Sequence, residues 1–295
     1  MKKVVLSVLL VFNTLFVCQS QEWMTSLEVA KSLAFVQDKL LFVIWEDVSY
    51  GQYPVLITDD KGVAYVDDLF SNESLNEVIW KHFVPVIISE TNYETLYKDI
   101  KGKRNQLYID KFNDDSIKIM DINGTIINTS FTYYDYLDIG KFISKYALNT
   151  AFLKAELTNY KTQKDWNTAY RLASKYIDFA VLVNDQVRPE IIKISNYYLK
   201  EAETLASAET STVLNRKIQL QKIYQDLVLG KAKKVLRQLR RIDDSAGDAS
   251  DESFEAFLYF TSYLLLKDET NASSWRSKVS LVNLKMTNLI VKNNY

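Results

Sequence analysis

The run Leu40-Leu41-Phe42-Val43-Ile44-Trp45 is apolar without interruption and stops at the acidic pair Glu46-Asp47. A short continuous apolar run marks a strand covered on both faces, because a half-solvated strand alternates polar and apolar residues instead. Phe83-Val84-Pro85-Val86-Ile87-Ile88 has the same character, and between the two runs Ser71-Asn72-Glu73-Ser74 opens a helix reaching Lys81. Upstream, Leu27, Ala30, Leu33, Ala34 and Val36 recur at helical spacing across Ser26 to Asp38, with Thr25 or Ser26 positioned as the cap. Helix, buried strand, helix, buried strand predicts a sheet with helices packed on it.

Working outward, Pro54 to Thr58 and Val63 to Val66 flank the turn signal Asp59-Asp60-Lys61-Gly62 and predict a β-hairpin. A helix is expected over Thr91 to Lys101. A second hairpin is expected from Ile117 to Asp121 and Thr125 to Asn128 around Ile122-Asn123-Gly124, with a closing helix over Tyr136 to Leu148. The composition then shifts. From Tyr134 to Leu229 only Gly140 and Pro189 interrupt the pattern. Apolar stripes predict helices over Ala151 to Tyr160, Asp165 to Phe179, Pro189 to Leu205, Thr212 to Leu229, Lys231 to Ile242, Ser253 to Lys267 and Ser273 to Val291. The fold class is therefore α+β followed by all-α. The segment Trp166 to Ala173 resembles a tetratricopeptide-type helix, but no regular repeat emerges, so a helical-hairpin array and a plain bundle both fit.

The order of elements in the first half, with particular residues, resembles the thioredoxin-like superfamily in its exported bacterial branch. The matching strings are Phe70-Ser71-Asn72-Glu73-Ser74-Leu75-Asn76-Glu77-Val78, then His82-Phe83-Val84-Pro85-Val86, then Met120-Asp121-Ile122-Asn123-Gly124-Thr125-Ile126. The resemblance spans residues 23 to 147. It implies a thioredoxin-like sandwich, a mixed sheet flanked by helices, and it would ordinarily imply thiol-disulfide chemistry.

The chemistry is where the chain departs. With Phe42 to Trp45 aligned to the strand before the redox motif, Ser49-Tyr50-Gly51-Gln52 stands where the family carries two cysteines, so Ser49 and Gln52 replace the thiols. The family's cis-proline position falls on Asp115, next to Ser116; outside proline the cis bond costs about 3 kcal/mol. The hairpin from Pro54 to Val66 fills an unusually long interval between Ser49 and Phe70 and reads as an insertion at the start of the active-site helix. The only cysteine is Cys18.

Cys18 lies in a predicted export leader: Met1-Lys2-Lys3, an apolar run from Val4 to Val17, and small residues at Cys18 and Ser20 before a cut at Gln21. A lipoprotein reading would instead acylate Cys18, but Val17 is larger than the residue such signals carry there. The apolar run falls short of the roughly 20 residues a spanning helix needs. The domain boundaries follow: leader 1–20, thioredoxin-like domain 21–148, helical domain 149–295. Formal net charge is −1 and becomes −3 without Lys2 and Lys3, which disfavours nucleic acid and anionic membranes as partners.

Rival chemistries are weak. The only histidine, His82, is predicted at a helix end, which leaves Ser49 without a base. Asp59, Asp60, Asp67 and Asp68 lack the spacing of a calcium loop. Trp45 reads as the buried end of a strand. The basic stretch from Lys231 to Arg241 and the acidic segment Asp243 to Glu252 read as a solvated helix and loop. The tyrosines at 133, 134, 136, 197 and 198 would suit partner contacts, although helical tyrosines are usually half-buried. The expectation is a periplasmic or secreted, non-catalytic protein, without cofactor or metal, that binds a protein partner through Tyr50, Tyr53 and Ser116. The alternative is a member of a thiol-disulfide oxidoreductase pathway whose own cysteines are lost.

Overall fold

The computed structural model describes residues 22–130, 136–242 and 249–294. The predicted leader, Tyr133, Tyr134 and most of the acidic segment after Ile242 lie outside the described residues. Helix α1 (Leu27–Gln37) starts where the Ser26 hydroxyl accepts the Val29 N–H and ends at Asp38, whose φ of 55° stops the helix. Strand β1 (Leu40–Trp45) is buried along its whole length. One helical turn, α2 (Glu46–Ser49), leads into the expected hairpin of β2 (Pro54–Thr58) and β3 (Ala64–Asp68). Its turn is built by Asp59, whose Oδ1 accepts the N–H groups of Lys61 and Val63 at 2.9 and 2.8 Å, with Gly62 at φ 79°.

Asn72 caps α3 (Glu73–His82) by accepting the Leu75 N–H at 2.8 Å. The helix returns the chain to β4 (Phe83–Ile88), which runs parallel to β1 in register from Leu40↔Phe83 to Trp45↔Ile88. A 3-10 turn (Glu90–Asn92) and α4 (Tyr93–Ile100) occupy the stretch expected as one helix over Thr91 to Lys101. A helix that was not expected, α5 (Gln106–Asn113), precedes β5 (Lys118–Met120), which pairs antiparallel with the other edge of β1. The sheet order is β4-β1-β5.

The second arm of the later hairpin bridges only at Met120↔Ile126. Beyond Ile127, whose N–H donates to the Ile119 carbonyl at 2.8 Å, the Asn128 side chain replaces the ladder. It accepts the Ile119 N–H and donates to the Ile117 carbonyl, both at 2.8 Å. Strand β6 (Leu137–Asp138) joins β2 in parallel to complete a second sheet, ordered β3-β2-β6, and α6 (Ile139–Tyr146) closes this half.

The remainder is helical: α7 (Lys154–Thr162), α8 (Trp166–Leu182), α9 (Arg188–Leu205), α10 (Ala208–Val228), α11 (Ala232–Leu239), α12 (Ala249–Leu265), α13 (Glu269–Arg276) and α14 (Leu281–Asn293). Asp165 and Thr168 form a reciprocal capping box at the start of α8, and Pro189 sits in the first turn of α9, where its missing N–H is harmless. The single helix expected over Ser273 to Val291 is two, restarted where the Ser280 hydroxyl accepts the Asn283 N–H. An open array stacks each hairpin only on its neighbours. Here α14 returns to α8, with Asn293 Nδ2 donating to the Val181 carbonyl at 2.6 Å, so the helices close into a bundle. Among the described residues no helix is long and apolar enough to cross a membrane.

One apolar core runs from Ala30 in α1 to Ile290 in α14, so the two halves are packed together. Polar contacts reinforce the join. Tyr176 of α8 and Tyr198 of α9 donate to Asp121 Oδ2 at 2.7 and 3.1 Å, and Arg104 lies 4.5 Å from the ring centre of Tyr197. Tyr198 is thereby a core residue, and Tyr197 is half-buried against Arg104.

Candidate functional site

Trp45 closes β1 and organises what lies beyond it. Its indole N–H donates to the Phe112 carbonyl at 2.9 Å, and its ring meets Phe112 edge-on at 5.2 Å. This pins the end of α5 to the sheet and sets the segment Asn113 to Ile117 beside the C-terminal end of β1. Lys118 follows in β5 with its side chain 1% exposed. Its ammonium donates to the Ser116 carbonyl at 2.8 Å and to the Asp114 carbonyl, and stands 3.2 Å from Asp114 Oδ1. Burial pushes this ammonium down to about 8, and the Asp114 carboxylate offsets only part of that.

Lys111, on α5, is also lowered by burial; it donates to Ser116 Oγ and lies 3.6 Å from Asp114 Oδ2. Burial works to raise Asp114, but Lys111, the Ser116 hydroxyl and Lys118 outweigh it and hold the carboxyl below its ordinary range. The Ser116 hydroxyl donates to Asp114 Oδ1 at 2.6 Å. With both lysines protonated, Lys111 donates to the serine and the serine donates to the Asp114 carboxylate, so no free base faces the hydroxyl in this state. The cluster is a satisfied ion-pair network.

Next to it opens a cleft of about 1290 Å³. Tyr53, Pro54 and Leu56 of the hairpin form one wall, Lys111, Asp114 and Ser116 another, and Phe142, Lys145 and Tyr146 of α6 a third. Lys145 is tied to the buried Glu190 at 3.0 Å and Lys141 to Asp138 at 2.9 Å, so the cationic lining is paired. Tyr53 accepts the Ile117 N–H at its phenol oxygen, and burial, with Asp114 and Asp115 nearby, pushes its pKa up to about 12. It is therefore a neutral phenol at any physiological pH.

Of the residues singled out in the sequence, Tyr53, Ser116 and Tyr136 come together on this cleft. Ser49, Tyr50, Gln52 and Asp115 do not line it. Ser49 Oγ donates back to the Glu46 carbonyl at 2.6 Å, Gln52 is exposed, and Tyr50, 74% exposed, donates to the Glu46 carboxylate. The hydrogen bonds from Ser89 and Tyr50 lower the pKa of Glu46. Asp115 is exposed on another face, where Glu90 is raised by burial and by Asp47, Asp115 and Glu46. This side is an acidic patch. Among the described residues no three histidine, cysteine or acidic side chains are grouped to hold a metal. His82 ends α3, and its pKa is lowered by burial and by its neighbours Lys81 and Lys39.

Sequence reading missed Lys111, Asp114 and Lys118. The signal that existed was Lys118 itself, a lysine inside the apolar string Ile117-Lys118-Ile119-Met120, which strand alternation would send to solvent and the structure buries. No family model matches this chain, and no curated protein and no solved structure matches it either.

Proposed function

We propose that the protein is an exported, redox-inactive thioredoxin-fold protein that acts in the periplasm or outside the cell by holding a protein partner non-covalently. Three things support this. The sheet β4-β1-β5, with β4 parallel and β5 antiparallel to β1, is mixed, and a mixed sheet flanked by helices is what the resemblance implies. The hairpin is inserted where the active-site helix would begin, and Ser49, Gln52 and Asp115 occupy the positions of the redox centre. The observation that carries the reading is the cleft, which joins Tyr53 of the inserted hairpin to Ser116 beside the lost cis-proline position. Its lysines and Asp114 are already paired and its walls include Pro54, Leu56 and Phe142, so it offers shape and aromatic contact with hydrogen-bonding groups at its rim.

A photo-reactive phenylalanine analogue at Tyr53, introduced in the native cell, is expected to capture one defined protein. The same analogue at the exposed Glu94 is expected to capture none. Reduction of insulin by the purified protein would overturn the reading in favour of thiol-disulfide chemistry.

A further inference from the structure

Among the described residues the inserted hairpin leaves one edge unpaired. Strand β3 pairs, among those residues, with β2 alone and stands at the end of its sheet. The register fixes which backbone groups face outward. Asp59 donates to the Val63 carbonyl and Leu69 to the Tyr53 carbonyl, so Val63, Tyr65, Asp67 and Leu69 are the residues that exchange hydrogen bonds across the hairpin. Ala64 and Val66 therefore turn both N–H and C=O away from β2. Asp68 also turns outward, but its N–H is taken by Asp67 Oδ1 at 2.8 Å. Around this edge Val63, Tyr65 and Val66 are 58%, 45% and 49% exposed. Proteins guard such an edge with charge, proline or a bulge; Ala64 to Val66 carries no charge and no proline, its pairing runs in unbroken register, and the only charges on the strand are Asp67 and Asp68.

Charge indicates what fits there. Asp59, Asp60, Asp67 and Asp68 surround the strand against Lys61 alone within the hairpin. Asp59, Asp67 and Asp68 shape the loop through their own hydrogen bonds and still contribute negative field. A second copy is a poor occupant, because antiparallel pairing of two β3 strands brings the Asp67-Asp68 end of each against the Asp59-Asp60 turn of the other.

We propose that β3 is a strand-addition site that takes an extended basic segment of a partner protein, with lysine or arginine alternating with β-branched residues. The proposal rests on the binding reading above and names the chemistry of the partner. Backbone pairing at Ala64 and Val66 supplies the docking, and the aspartates select the basic sequence.

The test is fluorescence anisotropy with a labelled peptide of about ten residues, lysine alternating with valine and threonine. Saturable binding is expected. It should weaken at least about tenfold with Val66→Pro, which removes an N–H that β2 does not use. N-methylating the peptide backbone on both edges should weaken it as much, and this arm leaves the protein untouched. Equal binding of the N-methylated peptide, or of a glutamate-containing analogue, would overturn the proposal. So would a concentration-dependent dimer abolished by Val66→Pro, which would make a second copy the occupant. If the peptide fails while photo-capture at Tyr53 succeeds, strand addition alone is wrong; if both fail, the binding reading falls with it.

Discussion

Two carboxylates, Asp114 and Asp121, flank the short strand β5 and are held in opposite ways. Asp114 is partly open to the cleft and faces Lys111 and Lys118, which overcome the effect of burial and keep it ionised. Asp121 is 1% exposed; its Oδ1 accepts the N–H groups of Asn123 and Thr125 at 2.9 and 2.8 Å, and its Oδ2 accepts the hydroxyls of Tyr176 and Tyr198. No ammonium or guanidinium is among those partners, and burial raises its pKa despite all four donors. Burial alone does not decide the charge of a group; the partners sealed in with it do. The Asp121 end is a lock between the halves, with Tyr176 and Tyr198 stacked 5.6 Å apart above it. The Asp114 end is the one open to the cleft.

The largest effect should come from breaking the lock. Asp121→Ala leaves two hydroxyls and two backbone N–H groups without an acceptor in a sealed site, and should cost about 4 kcal/mol in urea denaturation. Asp121→Asn keeps one oxygen for the backbone donors and lets the tyrosine hydroxyls turn to accept from the amide. It should lose less than half as much. The pH dependence has a definite sign. A raised folded-state pKa means that the Asp121 contribution is complete below the ordinary carboxylate value and declines as pH rises through the folded value. Asp114 behaves oppositely, contributing above the ordinary value and losing that contribution as pH falls through its lowered one. Asp121→Asn should therefore remove the decline and leave the acid-side loss in place.

That lock was illegible in the sequence, and the reason is distance along the chain. Asp121 sat in a turn string whose aspartate and glycine were read for their hairpin geometry, while its partners lie 55 and 77 residues away on helices read only for apolar stripes. β1, the β2–β3 hairpin and β4 were legible because each carries its own local signal: continuous apolar runs, or Asp-Gly turn chemistry. Helix α5 was not, since its buried residues are only Tyr108 and Phe112 while Leu107 is 55% exposed. The break between α13 and α14 was also missed, because Ser277 and Ser280 are weak punctuation beside glycine or proline. Tyr53 and Ser116 could be placed near the cleft only through the resemblance; the lysines that hold Ser116 carried no such cue.

An intermediate effect should come from Lys118. Folded, its ammonium titrates at about 8 against an ordinary 10.5, so across that window the unfolded chain keeps a proton that the folded chain has released. Stability should rise with pH between those values, by up to about 3 kcal/mol. Lys118→Met should flatten most of the slope and leave the smaller part that Lys111, also lowered by burial, supplies, measured by denaturant midpoints across the alkaline range.

The smallest effect belongs to the open end. Ser116→Ala deletes the hydroxyl between Lys111 and Asp114, but those charges already lie 3.6 Å apart and can pair directly, with water reaching the carboxylate. The expected loss is about 1 kcal/mol, near that of one ordinary hydrogen bond. The contrast with Asp121→Ala is the point of the measurement. If Ser116→Ala proves as damaging, the cleft end is as sealed as the lock and cannot reorganise around a partner. If it stays near 1 kcal/mol while photo-capture at Tyr53 drops, the hydroxyl serves recognition more than folding, and the division of labour along β5 holds.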